Sequence, residues 1–286
     1  MKFGNEGDHG TVARRSPATF LGTTATFQMS RNFGDTPQAK VVIAANKNDI
    51  IDSLLFLYFR RMARGAFHTI AGRGLERLRH LPEDRPVILF CNHTNWWDGL
   101  ICFLLTRQMR HKAVYCMMEE KQLKSYRFFT WLGAFSVDLT SPLRSAASLR
   151  YAQRLLQKKE TAIWIFPQGR ICRQNEPVEI KPGTDYLAQS APHALLVPMA
   201  MRYDFFREDR PNVLIEIGQP FPAIELTEGR IAQECNGAFA RATQAALEQD
   251  LTGFSQLFPP RWTINKRWQW VKFAVTGRLG EFTPTN

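Results

Sequence analysis

The chain has 286 residues, 44% of them hydrophobic by type, and a formal net charge of +11. That length suits one large α/β domain with a substantial core. The charge points to an anionic partner: an acidic membrane surface, nucleic acid, or a phosphorylated substrate. Five cysteines with no Cys-x-x-Cys spacing argue against a disulfide framework and structural zinc, which implies a reduced, intracellular setting. No apolar run approaches the roughly 20 residues that span a bilayer, so the protein is expected to lie on a membrane or apart from one.

Residues 1–46 are rich in Gly, Thr, Ser and Asn without periodicity, and read as a mobile leader. From Asp49 the character changes. Ile50, Ile51 and Leu54 to Phe59 make a very apolar helix that ends in Arg60, Arg61 and Arg64. This pattern suits an interfacial helix with its arginines at lipid phosphates. It equally suits a core helix with a favourable basic last turn.

The centre of the chain is Arg85 to Leu100. Val87–Cys91 is a continuous apolar run, the mark of a strand buried on both faces. Polar residues follow abruptly, among them His93 and Asp98. On a regular helix that spacing leaves the two side chains about 140° apart, so they meet only if the chain turns from strand to helix between them. Asn95 is a good N-cap for a helix starting at Trp96, with Asp98 in its first turn. An aspartate beside His93 would orient the imidazole and leave the other ring nitrogen to accept a proton. By itself the pair is a weak signal, because a strand-end histidine beside an unrelated helix-start aspartate looks the same. Cys91 lies two residues before His93, and a buried strand thiol of this kind is ordinarily inert packing.

Downstream, Gly99–Met109 continues the helix, Ala113–Met118 is a strand, and Tyr126–Leu132 is a short aromatic helix ended by Gly133. Ala134–Asp138 is extended, and Leu143–Lys158 is an amphipathic helix. Thr161–Phe166 is a second fully apolar strand, running into Pro167-Gln168-Gly169-Arg170, where backbone and side chains can meet an anion. Lys181-Pro182-Gly183 precedes a short helix, Leu195–Pro198 and Val213–Ile217 are strands, and Gly229–Leu251 is a helix stopped by Gly253. Strands alternating with helices predict an α/β sheet with its ligand at the strand C-terminal ends. The tail interleaves Trp262, Trp268, Trp270 and Phe273 with Arg261, Lys266, Arg267 and Lys272. That pattern suits a membrane–water interface, or an aromatic helix packed on the domain with its cations solvated.

Four blocks in order resemble the lysophospholipid (1-acylglycerol-3-phosphate) acyltransferases. Asn92-His93-x4-Asp98 resembles that family's His-x4-Asp motif, and Gly133-Ala-Phe-Ser-Val-Asp138 its second block. Phe166-Pro167-Gln168-Gly169, with Lys181 and Gly183 following, resembles the third, and Val197-Pro198 the fourth. The resemblance covers roughly Ile70 to Pro220, and the order of four blocks is far more specific than any one of them. Two departures stand out. Leu139 occupies the place of an arginine after the second block, and Gln168 replaces a glutamate, with Arg170 one place early. The family associates these positions with binding the acceptor's phosphate.

The resemblance implies a single α/β domain with a mostly parallel mixed sheet flanked by helices, glycerol-phosphate-acyltransferase-like. The catalytic domain it implies is set at 69–255, and the residue patterns add a leader at 1–46, an apolar and basic interfacial helix at 47–68, and a membrane-surface segment at 256–286. His93 is the expected general base and Asp98 its orienting partner. Gln168, Gly169, Arg170, Lys181 and Arg144 are the expected acceptor- or anion-binding residues. Acyl-CoA or an acyl-carrier protein is the expected donor substrate, with no further cofactor and no metal. Arg60, Arg61, Trp262, Trp268 and Trp270 are expected at an anionic membrane surface, with the protein peripheral on its cytoplasmic face and without nucleic acid as a partner. The acceptor is expected to be 1-acylglycerol-3-phosphate, with a glycosylated or other non-phosphate lipid as the alternative. A non-catalytic module binding anionic membrane is the rival from another class.

Overall fold

The computed structural model describes residues 42–111 and 113–277. The expected leader lies outside the described residues as far as residue 41, and the tail beyond residue 277 does too. Among the described residues, nine strands form one sheet: β1 (Ile70–Arg73), β2 (Val87–Cys91), β3 (Ala113–Glu119), β4 (Ala134–Val137), β5 (Thr161–Ile165), β6 (Leu195–Asp204), β7 (Asn212–Ile217), β8 (Phe221–Pro222) and β9 (Ser255–Phe258). Their order is β4-β3-β5-β2-β6-β7-β1-β9, with β8 beside β6. From β4 to β6 the neighbours are parallel, and β6–β7 and β1–β9 are antiparallel. The helices are α1 (Asp49–Ala66), α2 (Leu75–Arg79), α3 (Trp97–Leu105), α4 (Glu120–Ser125), α5 (Pro142–Leu155), α6 (Pro182–Gln189), α7 (Arg230–Glu248) and α8 (Ile264–Val275).

β2 sits between β5 and β6 and is buried at all five positions, as its unbroken apolar run requires. Its side chains alternate between two cores. Val87, Leu89 and Cys91 join the layer built from α1 and α3, while Ile88 and Phe90 join the layer under α5, α6 and α7. The inner face of α1 carries Phe59 and Ala63 into the first layer, with Phe59 edge-on to Phe103 at 6.0 Å. Asp52 on the same face pairs with Arg107. At the sheet's edge, residues 43–48 run beside β4. The Ile43 N–H donates to Ser136 Oγ at 2.8 Å, and the Asn46 N–H donates to the Thr130 carbonyl at 2.9 Å.

Several boundaries differ from the sequence reading. The stretch around Thr69–Leu78 divides at Gly74, whose φ of 82° separates β1 from α2. β9 is also new, and both short strands depend on non-local pairing rather than on periodicity. The aromatic helix is a 3₁₀ segment at Arg127–Leu132. α7 ends at Gln249, in the left-handed region at φ 53°, before reaching Gly253. β6 continues six residues past Pro198. No helix among the described residues is long and apolar enough to cross a membrane.

Candidate active site

The C-terminal ends of β2, β5 and β6 lie side by side, and the loops that leave them assemble the site. After Cys91 the chain turns and enters α3 at Trp97, one residue later than expected. The N-cap position accordingly falls at Trp96, without a side-chain cap, and Asn95 just before it accepts from the Trp97 N–H at 3.1 Å through its side-chain oxygen. That turn brings Asp98 back over the loop. Its Oδ2 accepts from the backbone N–H of Thr94 at 2.6 Å and of Asn95 at 2.8 Å, and from His93 Nδ1 at 2.9 Å. Its Oδ1 accepts from the Tyr203 hydroxyl. Two backbone N–H groups fix Oδ2 of this fully buried carboxyl as an acceptor, so the ring atom that faces it is placed to donate. In the tautomer that this geometry favours, Nδ1 carries the proton and Nε2 presents a lone pair. Nε2 takes no hydrogen bond from the described residues, and the side chain is 22% exposed.

The rest of the site clamps His93 in place. Its ring stacks on Phe166 at 4.3 Å, from the loop after β5. Its N–H donates to Gln168 Oε1 at 2.8 Å, and its carbonyl accepts from the Cys172 N–H at 2.7 Å. Gln168, expected to face the acceptor, is buried and uses its side-chain carbonyl on the His93 backbone. Gly169 has φ 65° and donates its N–H to the Phe166 carbonyl at 3.0 Å within the turn. A Cβ placed at Gly169 would lie 3.0 Å from Leu139 Cδ1 and 3.6 Å from Lys181 Cε, so an apolar and a cationic side chain flank this loop. Arg144 pairs with Asp138 at 3.1 Å and with Glu120, and Arg170 pairs with Glu176 at 3.0 Å. Lys181 has no ion-pair partner among the described residues. Cys91 is fully buried and its thiol is pushed up by that burial, so it is no nucleophile.

Tyr203 is a residue that no sequence motif signals. β6 outruns β2, and two side-chain amides carry the ladder onward. Asn92 exchanges bonds with the Met201 backbone at 2.7 and 2.9 Å, and Gln174 with the Tyr203 backbone at 2.6 and 3.1 Å. With the β7 ladder on the other edge running to Asp204, β6 stays extended through Tyr203, whose ring packs 5.9 Å from Phe67 and whose hydroxyl reaches Asp98. Burial, with the Asp98 charge beside it, pushes the Tyr203 hydroxyl well above the usual tyrosine range, so it stays a donor. Tyr203→Phe is expected to lower kcat about 10-fold with the Michaelis constants unchanged, since one bond to a charged group is lost. An unaltered kcat in a folded variant would remove Tyr203 from the site.

Arg60 and Arg61 lie exposed at the C-terminal half of α1. Trp262 is exposed just before α8, and Trp268 and Trp270 are exposed on it.

Residues 70–202 match the family model described as Acyltransferase. None of the curated proteins matches the chain. Among solved structures it is similar to the 1-acyl-sn-glycerophosphate (LPA) acyltransferase PlsC from Thermotoga maritima, at 18% identity and a TM-score of 0.49, over 70% of this chain and 80% of that one.

Proposed function

We propose that this chain is an acyltransferase that moves a fatty acyl group from a thioester donor, acyl-CoA or an acyl-carrier protein, to a lipid hydroxyl, in line with the match of residues 70–202 to the Acyltransferase family model. The observation that carries this reading is the His93–Asp98 pair, with Nε2 unengaged among the described residues on a partly exposed side chain. In the proposed step, Nε2 takes the proton of the acceptor hydroxyl as its oxygen attacks the thioester carbonyl carbon. The tetrahedral intermediate then collapses, the carbon–sulfur bond breaks, and the imidazolium returns the proton to the leaving thiolate. Asp98 holds the productive tautomer and stabilises the imidazolium. No acyl-enzyme is needed, and the ring's fixed position between Phe166 and Asp98 supplies the orientation.

The leading acceptor is 1-acylglycerol-3-phosphate, with Lys181, whose stem flanks the Gly169 loop and which has no ion-pair partner among the described residues, as the cation for its phosphate. A second reading has specific support. Leu139 lines the same loop, while Arg144 and Arg170 already face carboxylates, a setting that suits a glycosylated or otherwise uncharged acceptor. The experiment is an acceptor competition with labelled acyl thioester: lysophosphatidic acid against lyso- and glycosylated lipids, in wild type and Lys181→Ala. A phosphate handle predicts a Michaelis constant for lysophosphatidic acid raised about 10-fold in the variant, the loss of one charge-assisted bond. A wild-type preference for the uncharged acceptor, or an unmoved constant, transfers the assignment to the glycolipid. The membrane surface that supplies such an acceptor is proposed to meet Arg60, Arg61, Trp262, Trp268 and Trp270.

A further inference from the structure

The C-terminal half of α1 borders an open cleft of about 530 Å³, lined by Leu57, Arg60, Arg61, Arg64, Gly65 and Arg261. Four guanidinium groups meet there from segments almost 200 positions apart, and among the described residues none of the four is ion-paired with a carboxylate. They are held by other means. The Arg261 N–H donates to the His68 carbonyl at 3.0 Å, and its Nη1 to the Arg64 carbonyl at 2.8 Å. Arg60 and Arg64 lie over the Phe258 ring at 5.9 and 6.0 Å.

Gathering four like charges without an acid raises the local potential, and an anion in the cleft relieves it. Guanidinium forks match the oxygen pairs of a phosphate. The neighbouring surface selects the source of that phosphate. Ile50, Leu54, Leu57 and Tyr58 line the outer face of α1 at helical spacing, all exposed, and Leu57 also borders the cleft. A phosphate held at the end of a three-turn apolar stripe is the arrangement of a lipid headgroup above its acyl region.

We propose that the Arg60–Arg61–Arg64–Arg261 cleft binds the headgroup phosphate of an anionic phospholipid while the outer face of α1 enters the bilayer surface. This deepens the membrane-surface part of the proposed function. It is tested by binding alone, in the His93→Ala background, so that failure of the chemistry and failure of this site are told apart.

Co-sedimentation with mixed phosphatidylglycerol–phosphatidylcholine vesicles is compared with pure phosphatidylcholine vesicles. The Arg61→Gln variant and the Arg61→Gln/Arg64→Gln variant are expected to lose affinity for the mixed vesicles by about 5-fold for each arginine removed. These side chains are exposed, and an unchanged thermal midpoint confirms folding. A control pair, Arg150→Gln/Lys158→Gln on α5 and the turn after it, removes the same charge elsewhere and is expected to lose less than 2-fold. Equal loss in the control means a diffuse field and overturns the site. Equal binding of wild type to neutral vesicles overturns it too. Release from vesicles by inorganic phosphate, beyond that caused by sodium chloride of the same ionic strength, reassigns the cleft to a soluble phosphate ligand.

Discussion

Replacing His93 with alanine is expected to lower acyl transfer by at least about 10²-fold, the contribution of a positioned general base. Folding should survive. The side chain lies partly exposed at a strand end, and its ring contact among the described residues is the stack on Phe166, an interaction of about 1 kcal/mol. Turnover with a labelled acyl thioester, read beside the thermal midpoint, separates the two effects. A folded variant with near-normal turnover would refute the general-base assignment. Asp98→Asn should lose most activity as well. An asparagine has one accepting oxygen where the site presents donors to both, and it carries no charge to face the imidazolium.

The largest expected stability effect comes from Gly133, at the start of β4. Its φ is 96°, and a Cβ built there would stand 2.4 Å from the Val114 carbonyl oxygen, a backbone atom of β3. Alanine therefore meets two penalties. The left-handed backbone strains a residue with a side chain, and the β3–β4 pairing must open to admit the methyl group. Together these cost about 3 kcal/mol, which lowers the thermal midpoint by roughly 10 °C for a chain of this size. Urea unfolding of Gly133→Ala measures it, and a midpoint equal to wild type would mean that the turn into β4 is not built this way. The same glycine opens the second of the four sequence blocks, so its place there is steric: β4 must approach β3 without a side chain between them.

What could be read from the sequence was local. The unbroken apolar run Val87–Cys91 required a strand covered on both faces. The five-residue separation of His93 and Asp98 required a turn between them, because neither a strand nor a helix lets that spacing meet. Both requirements act within a dozen residues, where steric and hydrogen-bonding rules hold regardless of the rest of the chain. The order of strands and helices, and hence the α/β class, followed from periodicity in the same way.

The partners of the site depended on the tertiary structure. Tyr203 reaches Asp98 across 105 positions because β6 lies beside β2 and is held extended between the β7 ladder and the Asn92 and Gln174 side chains. Gln168 looked like an acceptor ligand in its motif, yet its carbonyl is turned to the His93 backbone. Arg144 looked free for phosphate until the fold set Glu120 and Asp138 against it, and Arg261 joins Arg64 only through the docking of a distant segment. β1 and β9, four residues each, become strands by pairing with partners far along the chain. Periodicity states which face a side chain occupies, but not which other element that face will meet. For charged and amide groups the meeting decides the role, since the same guanidinium beside a carboxylate is a structural pair and beside open solvent is an anion site.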